Sequence, residues 1–310
     1  MKRYYKIYGM LLASDVKIEE ALELAPVQDE QVDVWIETGD FEPDVKAKLD
    51  ETDKQGSFSF YRHDSMFFHV EKVASYHVTK QRICVKPEEG ADLMEVKTFL
   101  LGSALGYCMN LRNMVVIHGG AVCKYGRGLI VTGESGAGKS TLSCALRKYG
   151  YDFIADDVCA VSESEEGNPH INLAYPQQKL CRDAALRQGY DLSELIYINE
   201  ERDKFAIRLK DRFLPDGADF HALYEIVLSD EKEFSAKEIT GHEKLFTLLR
   251  NIYRGESSFD MWGVPPHYMK ACATIASKIH IYQLSRPKEG NFVDDMIAFV
   301  EKTIREGEES

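Results

Sequence analysis

The sequence predicts an α/β fold in which a mixed β-sheet with flanking helices surrounds a phosphate-binding loop, preceded by a β-rich N-terminal region. Three observations predict it. A glycine-rich loop at 133–140 lies between a short apolar run and an amphipathic helical pattern. Strand-like and helix-like patterns alternate after it, as α/β layers require. Before it, short runs of aromatic and β-branched residues dominate. The organisation read from these patterns is a β-rich region at 1–95 and a nucleotide-binding domain at 96–310.

Composition sets the outer limits. The chain has 310 residues with 38 Lys+Arg against 51 Asp+Glu, a net charge of −13, and 44% hydrophobic residues. That is enough apolar content and length to bury one large core or two, and it excludes intrinsic disorder. No basic cluster offsets the acidity, which argues against a nucleic-acid partner. The longest uncharged stretch, 98–111, falls short of the roughly 20 residues needed to cross a bilayer, so no membrane span is expected. The start, MKRYYKIYGMLLASD, turns acidic before any convincing signal-peptide core, and the expected location is cytoplasmic. Seven cysteines, at 84, 108, 123, 144, 159, 181 and 272, form no C-x-x-C pair and read as reduced core thiols. No histidine spacing suggests a structural metal.

Taken in chain order, 16–52 is acidic and loop-like, and 57–63, 66–73 and 74–87 read as antiparallel strands. Val96, Leu100, Ala104, Tyr107 and Leu111 follow helical spacing. MVVIHGGAV, a glycine turn and LIVTG read as a hairpin that leads into the loop. Leu142, Ala145, Leu146 and Tyr149 then recur at i, i+3, i+4 and i+7, with Gly150 placed to cap the helix. YDFIADDVCAVSE reads as two strands round an acidic turn. INLAYP at 171–176, FAIRL at 205–209, LYEIVLSD at 223–230 and IHIYQLSRP read as strands, with helices at HEKLFTLLRNIYR and PPHYMKACATIASKI. A last helix carries Val293, Met296, Ile297, Val300 and Ile304 on one face. MWGVPPHYM at 261–269 brings a tryptophan beside two prolines and reads as core packing, with a substrate wall as the other option.

Gly133, Glu134, Ser135, Gly136, Ala137, Gly138, Lys139 and Ser140 complete the pattern G-x-x-x-x-G-K-[ST], with Thr141 opening the helix. Glycines let the backbone bend so that successive N–H groups face phosphate oxygens, and the helix N-terminus adds partial positive charge. Lys139 would reach the terminal phosphates and Ser140 would ligate Mg²⁺. Asp156 and Asp157 follow at the end of the next strand. Phosphoryl transfer to a hydroxyl needs one carboxylate at the metal and one as base, and adjacent acids can divide those tasks. His118, fifteen residues before the loop on the preceding hairpin, should run close to it.

His118-Gly119-Gly120, the hairpin, LIVTGESGAGKS and FIADDV together resemble the HPr kinase/phosphorylase family across 114–160. The resemblance implies a P-loop kinase core like that of phosphoenolpyruvate carboxykinase. By motif it implies that His118 supports the active site, that Asp156 is the base for a seryl hydroxyl, and that Asp157 lies near the metal. The family's E-I-R-G-L-G stretch is absent. LLGSALGYCMNLRNMVVIHGGAV, YPQQKL at 175–180, the DKFAIRL segment and IYQLSRP instead resemble a divergent branch, the lasso-peptide tailoring kinases, across about 95–290. That branch makes Lys179, Lys204 and Arg208 candidate phosphate or substrate contacts.

The resemblance thus implies an ATP- and Mg²⁺-dependent serine kinase, with Asp156, His118 and Lys139 at the chemistry and Ser140 and Asp157 at the metal. Its partner would be a peptide or protein bearing a serine, such as a precursor with a C-terminal serine, and it would form a homo-oligomer. Two alternatives stand beside it: a kinase of a small hydroxyl compound such as free serine, and a nucleotide-dependent switch with no phosphoacceptor.

Overall fold

The computed structural model describes residues 2–50, 56–198, 203–209 and 212–306. The chain divides into two compact units, Met1–Met114 with Ser257–Gly263, and Val115–Glu256 with Val264–Ser310.

The first unit is built on a sheet of eight strands, in the order Glu23–Leu24, Arg3–Ile7, Met10–Ser14, Val34–Thr38, Arg82–Pro87, Ala74–Thr79, Ser65–Val70, Phe58–Arg62. Tyr8 and Gly9, both at positive φ (55° and 76°), turn the first hairpin in two residues. The acidic stretch expected to be loop-like instead supplies Val34–Thr38, a strand inside the sheet, and the helix Pro43–Asp50. Val34 and Ile36 are fully buried, but the apolar run Val34-Trp35-Ile36 is only three residues long in an acidic background. Residues 51–52 of that stretch lie outside the described residues. The helix expected from Val96 to Leu111 runs as Leu93–Phe99 and Leu105–Leu111, joined by one wider turn, Leu100–Ala104. Trp262 donates its indole N–H to the Arg62 carbonyl at 2.7 Å and meets Tyr61 and Tyr107 edge-on, so this tryptophan packs on aromatic rings.

The second unit holds the mixed sheet, with helices packed on it, that the sequence predicts. Its strands run in the order Arg127–Gly133, Val115–Lys124, Val158–Glu163, Pro169–Ile171, Ala218–Ser229, His280–Pro287, Ser235–Glu238, and Asp152–Ala155 adds to Val115–Lys124. Arg127–Gly133 also pairs in parallel with Ala218–Ser229, which pairs in parallel with His280–Pro287. Tyr125 and Gly126, at φ 54° and 74°, close the central hairpin.

The helix Lys139–Lys148 is enclosed on two sides. Leu142, Ala145 and Leu146 join Val131, Tyr224, Met296, Ile297, Val300 and Ile304 in one core, which carries the apolar face of the C-terminal helix Val293–Glu306. Cys144 joins a second core with Phe153, Leu180, Ala185 and Ile207, beneath a small sheet of Gln177–Cys181, Lys204–Arg208 and Ile196–Ile198. Each buried Leu, Ile, Val, Met or Phe among these contributes roughly 1.5–3 kcal/mol. All seven cysteines are free, and only Cys181 is not fully buried. Among the described residues no helix is long and apolar enough to cross a membrane.

The strand Val115–Lys124 passes through the unit without side chains at Gly119 and Gly120. A Cβ on Gly119 would lie 2.4 Å from the Val131 carbonyl oxygen, and one on Gly120 would lie 2.5 Å from Ser143 Oγ on the helix. Backbone has no room to yield at the first position. Gly119→Ala is therefore expected to lower stability by ~1–3 kcal/mol, read from its urea-unfolding midpoint against wild type. An unchanged midpoint would show that the strands can part there.

Candidate active site

The loop that follows Arg127–Gly133 owes its shape to its glycines. Gly133 has φ 133°, and a Cβ there would meet the Ile226 carbonyl at 2.3 Å. Gly136 and Gly138 take φ 84° and 111°, conformations that favour glycine, and the helix begins at Lys139. Ala137 is buried and anchors the loop in the core. The Lys139 ammonium donates to the carbonyls of Gly133 at 2.9 Å and Glu134 at 3.0 Å. Arg286, at the end of His280–Pro287, braces the loop from outside through Nε to the Ala137 carbonyl at 2.8 Å.

The acid pair sits in the tight turn between Asp152–Ala155 and Val158–Glu163. Asp157 has φ 68°, which aspartate tolerates better than most residues. That conformation turns its carbonyl toward the neighbouring strand, where it accepts from Gly119 N–H at 3.1 Å and from His118 Nδ1 at 3.0 Å. A carbonyl only accepts, so Nδ1 carries the proton of the neutral imidazole and Nε2 keeps its lone pair. Burial, then the Lys139 ammonium, pushes the imidazole below its ordinary range, with Asp157 opposing.

Asp156 is almost fully buried, 7% exposed. Its Oδ2 accepts the Lys179 amide N–H at 2.7 Å, while among the described residues Oδ1 has no hydrogen-bond partner. Burial and the adjacent Asp157 charge push this carboxyl up to about 6.

One cavity of about 260 Å³ gathers most of the residues singled out from sequence: His118, Ser135, Gly136, Gly138, Lys139, Ser140, Thr141, Asp157, Lys179 and Lys204. Gly133 and Ala137 lie buried beneath it, Glu134 is exposed at the loop's outer side, and Asp156 sits behind the wall. Arg208 is exposed and does not line it. Lys179 and Lys204 arrive on paired strands of the small sheet, with Cys181 between them opposite Lys204.

The donor set suits Mg²⁺. Ser140 and Asp157 line the cavity, and Asp156, one residue before Asp157, is buried and does not line it. Among the described residues no group of three or more His, Cys, Asp or Glu forms a closed cage. Mg²⁺ ordinarily takes one or two carboxylates and completes its shell with water and phosphate.

Residues 109–173 match the family model of the HPr Serine kinase C-terminal domain. Across that segment the chain is HPr kinase-like. It is 36% identical over 74 residues to an HPr kinase/phosphorylase of a Geobacillus species, covering 23% of this chain and 24% of that protein. It is 47% identical over 49 residues to the Clostridium acetobutylicum protein of the same name, 16% of each chain. With the Streptococcus pyogenes serotype M1 counterpart it shares 31% over 93 residues, 29% of this chain and 30% of the other. The match thus spans less than a third of each of these relatives. A solved structure of the Hpr(Ser) kinase/phosphatase from Coxiella burnetii aligns with 62% of this chain and 98% of its own at 14% identity and a TM-score of 0.31, too distant to add weight. The HPr kinase-like segment holds His118, the loop and both aspartates, and ends before Lys179 and Lys204.

Several residues that surround the site without lining it were not legible in the sequence: Thr132, Glu225, Arg250, Asn251, Tyr253 and Arg286. Glu225 had a signal, a carboxylate inside the otherwise apolar run ALYEIVL, which a buried strand must pair. Tyr253, its ring 5.9 Å from that of His118, and Arg286 had none.

The raised Asp156 carboxyl has a consequence for stability. Its folded form binds a proton more readily than the unfolded chain does, so stability falls as pH rises from about 4 to about 6 and stays reduced above. Asp156→Asn removes that cost. In metal-free protein the variant is expected to unfold at higher temperature than wild type at pH 8, by an amount of the order of 2 kcal/mol, with the gap closing toward pH 4. Thermal unfolding across that range would show no pH-dependent gap if the carboxyl were ionised without penalty.

Proposed function

We propose that this chain is an ATP-dependent serine kinase. The observation that supports it is the single cavity in which Lys139 and Ser140 of the loop face His118 and Asp157, with the buried Asp156 directly behind. A structural loop would need none of these groups, and a nucleotide sensor would need no base.

In this reading the loop amides and Lys139 bind the β- and γ-phosphates and stabilise charge on the transferring group. Ser140 and Asp157 would hold Mg²⁺, which would draw charge from the phosphate oxygens. Asp156 accepts the proton of the seryl hydroxyl; a carboxyl held near 6 by burial suits a base working near neutral pH. Oδ1, which no donor claims among the described residues, is the oxygen left for that proton. His118, with Nδ1 engaged by the Asp157 carbonyl, keeps the acid turn in place.

The acceptor we propose is a serine of a peptide, at the C-terminus of a ribosomally made precursor of the lasso type. Support comes from the cavity wall, where Lys179 and Lys204 stand on the 175–180 and 203–209 segments that resemble the peptide-tailoring branch. Free serine is the competing acceptor.

Mass spectrometry of short peptides ending in serine, free serine and HPr, each incubated with the protein and Mg-ATP, tests the reading. A phosphate increment on the peptide alone is expected. Asp156→Asn should lose it while binding nucleotide within about twofold of wild type, and Lys139→Ala should weaken nucleotide binding about tenfold or more. Phosphorylation by Asp156→Asn at the wild-type rate would remove Asp156 as base. An increment on none of the acceptors would overturn the kinase reading in favour of a nucleotide switch.

A further inference from the structure

A buried carboxylate with several hydrogen-bond partners lies outside the cavity, on the strand paired with the start of the loop. Glu225 is 4% exposed on the strand Ala218–Ser229, and its register partner is Thr132, the residue before Gly133. Arg250, at the end of the helix Glu243–Arg250, grips the carboxylate through Nε at 2.7 Å and through Nη2. Asn251 donates from Nδ2 to Glu225 Oε1 at 2.7 Å and to the Thr247 carbonyl at 2.8 Å. With both amide protons spent, the Asn251 side chain has one orientation, and its Oδ1 faces the Thr132 hydroxyl at 2.8 Å. Burial pushes the Glu225 carboxyl up, and the hydrogen bonds from Arg250 and Asn251 more than offset this, so it stays ionised.

The network ends on the two peptide groups of His118. Thr132 Oγ1 lies 2.6 Å from the His118 carbonyl oxygen, to which it donates, and the Asn251 carbonyl accepts His118 N–H at 2.8 Å. Next to it, Tyr253 N–H donates to the Val116 carbonyl at 2.7 Å, so the chain after the helix lies along the His118 strand. One hydroxyl proton serves two acceptors, so Thr132 is the joint between the loop strand, the helix end and His118.

We infer that Thr132 and Asn251, held by Glu225, are positioning residues that fix the His118 backbone and, through it, the bond from Nδ1 to the Asp157 carbonyl. They do not line the nucleotide cavity; they act through His118 and the turn it holds. This rests on the serine-kinase reading for its effect on turnover, but the effect on the imidazole stands apart from it.

Three variants, Thr132→Val, Thr132→Ser and Asn251→Ala, are compared by turnover on a serine peptide, by Kd for Mg-ADP, and by the imidazole ¹⁵N spectrum of His118. Thr132→Val and Asn251→Ala are expected to lower turnover about tenfold or more, because small displacements at a reacting centre cost that much, with the Kd within about twofold. The His118 signals should move from a single Nδ1–H tautomer toward a mixture. Thr132→Ser, which restores the hydroxyl, should match wild type in all three. Asn251→Ala carries the test should Thr132→Val fail to fold. A folded Thr132→Val or Asn251→Ala whose ring signals and turnover are unchanged overturns the inference, as does a loss shared equally by Thr132→Ser. Should wild type phosphorylate no acceptor, the kinase reading falls and the ¹⁵N spectrum alone decides: an unchanged ring overturns the positioning role, and a mixed tautomer sustains it.

Discussion

The pairing of Val115–Lys124 with Arg127–Gly133 is the constraint on which the site depends. Its register sets Thr132 opposite Gly119, so the residue that launches the phosphate loop stands beside the residue that follows His118. The pairing of Val115–Lys124 with Val158–Glu163 on its other edge places His118 opposite Val158 and brings the aspartate turn alongside. One strand therefore carries the phosphate loop on one side and the acid pair on the other. The two glycines in it are there because the loop strand presses on one and the helix Lys139–Lys148 on the other.

Two carboxylates of the same turn are made different by position alone. Asp157, in the left-handed region, spends its carbonyl on His118 and Gly119 and offers its side chain to the cavity. Asp156, one residue earlier, is turned inward, accepts one backbone amide, and has its carboxyl raised by burial. Adjacent acids in bulk water would ionise alike; here backbone geometry leaves one carboxylate at the cavity and buries the other, whose carboxyl is raised.

The parts legible in the sequence were those carried by local pattern. The loop, its helix, the hairpin and the acid turn are each written in consecutive residues, and the alternation of strands and helices announced an α/β fold whose mixed sheet the family resemblance implied. The C-terminal helix could be read from five residues on one face. Val34–Thr38 escaped because a strand that joins a sheet through parallel neighbours needs no local turn, and its surroundings were acidic. The small sheet escaped in part because Gln177–Cys181 reads QQKLC, with no apolar run to mark it. Thr132, Asn251 and Glu225 come from three segments that meet only in the folded chain, so spacing could not join them.

The loop strand is supported on its two edges by partners of very different reach along the chain. On one edge the two-residue turn at Tyr125 and Gly126 delivers its neighbour immediately, and that pairing closes with little loss of chain entropy. On the other edge the partner is Ala218–Ser229, reached only after the acid turn and the small sheet have been laid down. Closing that longer loop costs more entropy, and its return comes only with the buried core that Tyr224 and Ile226 complete. The glycine-rich loop is thus legible in consecutive residues but finished by a distant strand. A weakened core in this unit would loosen the loop's far edge first, well before the hairpin that names it came apart.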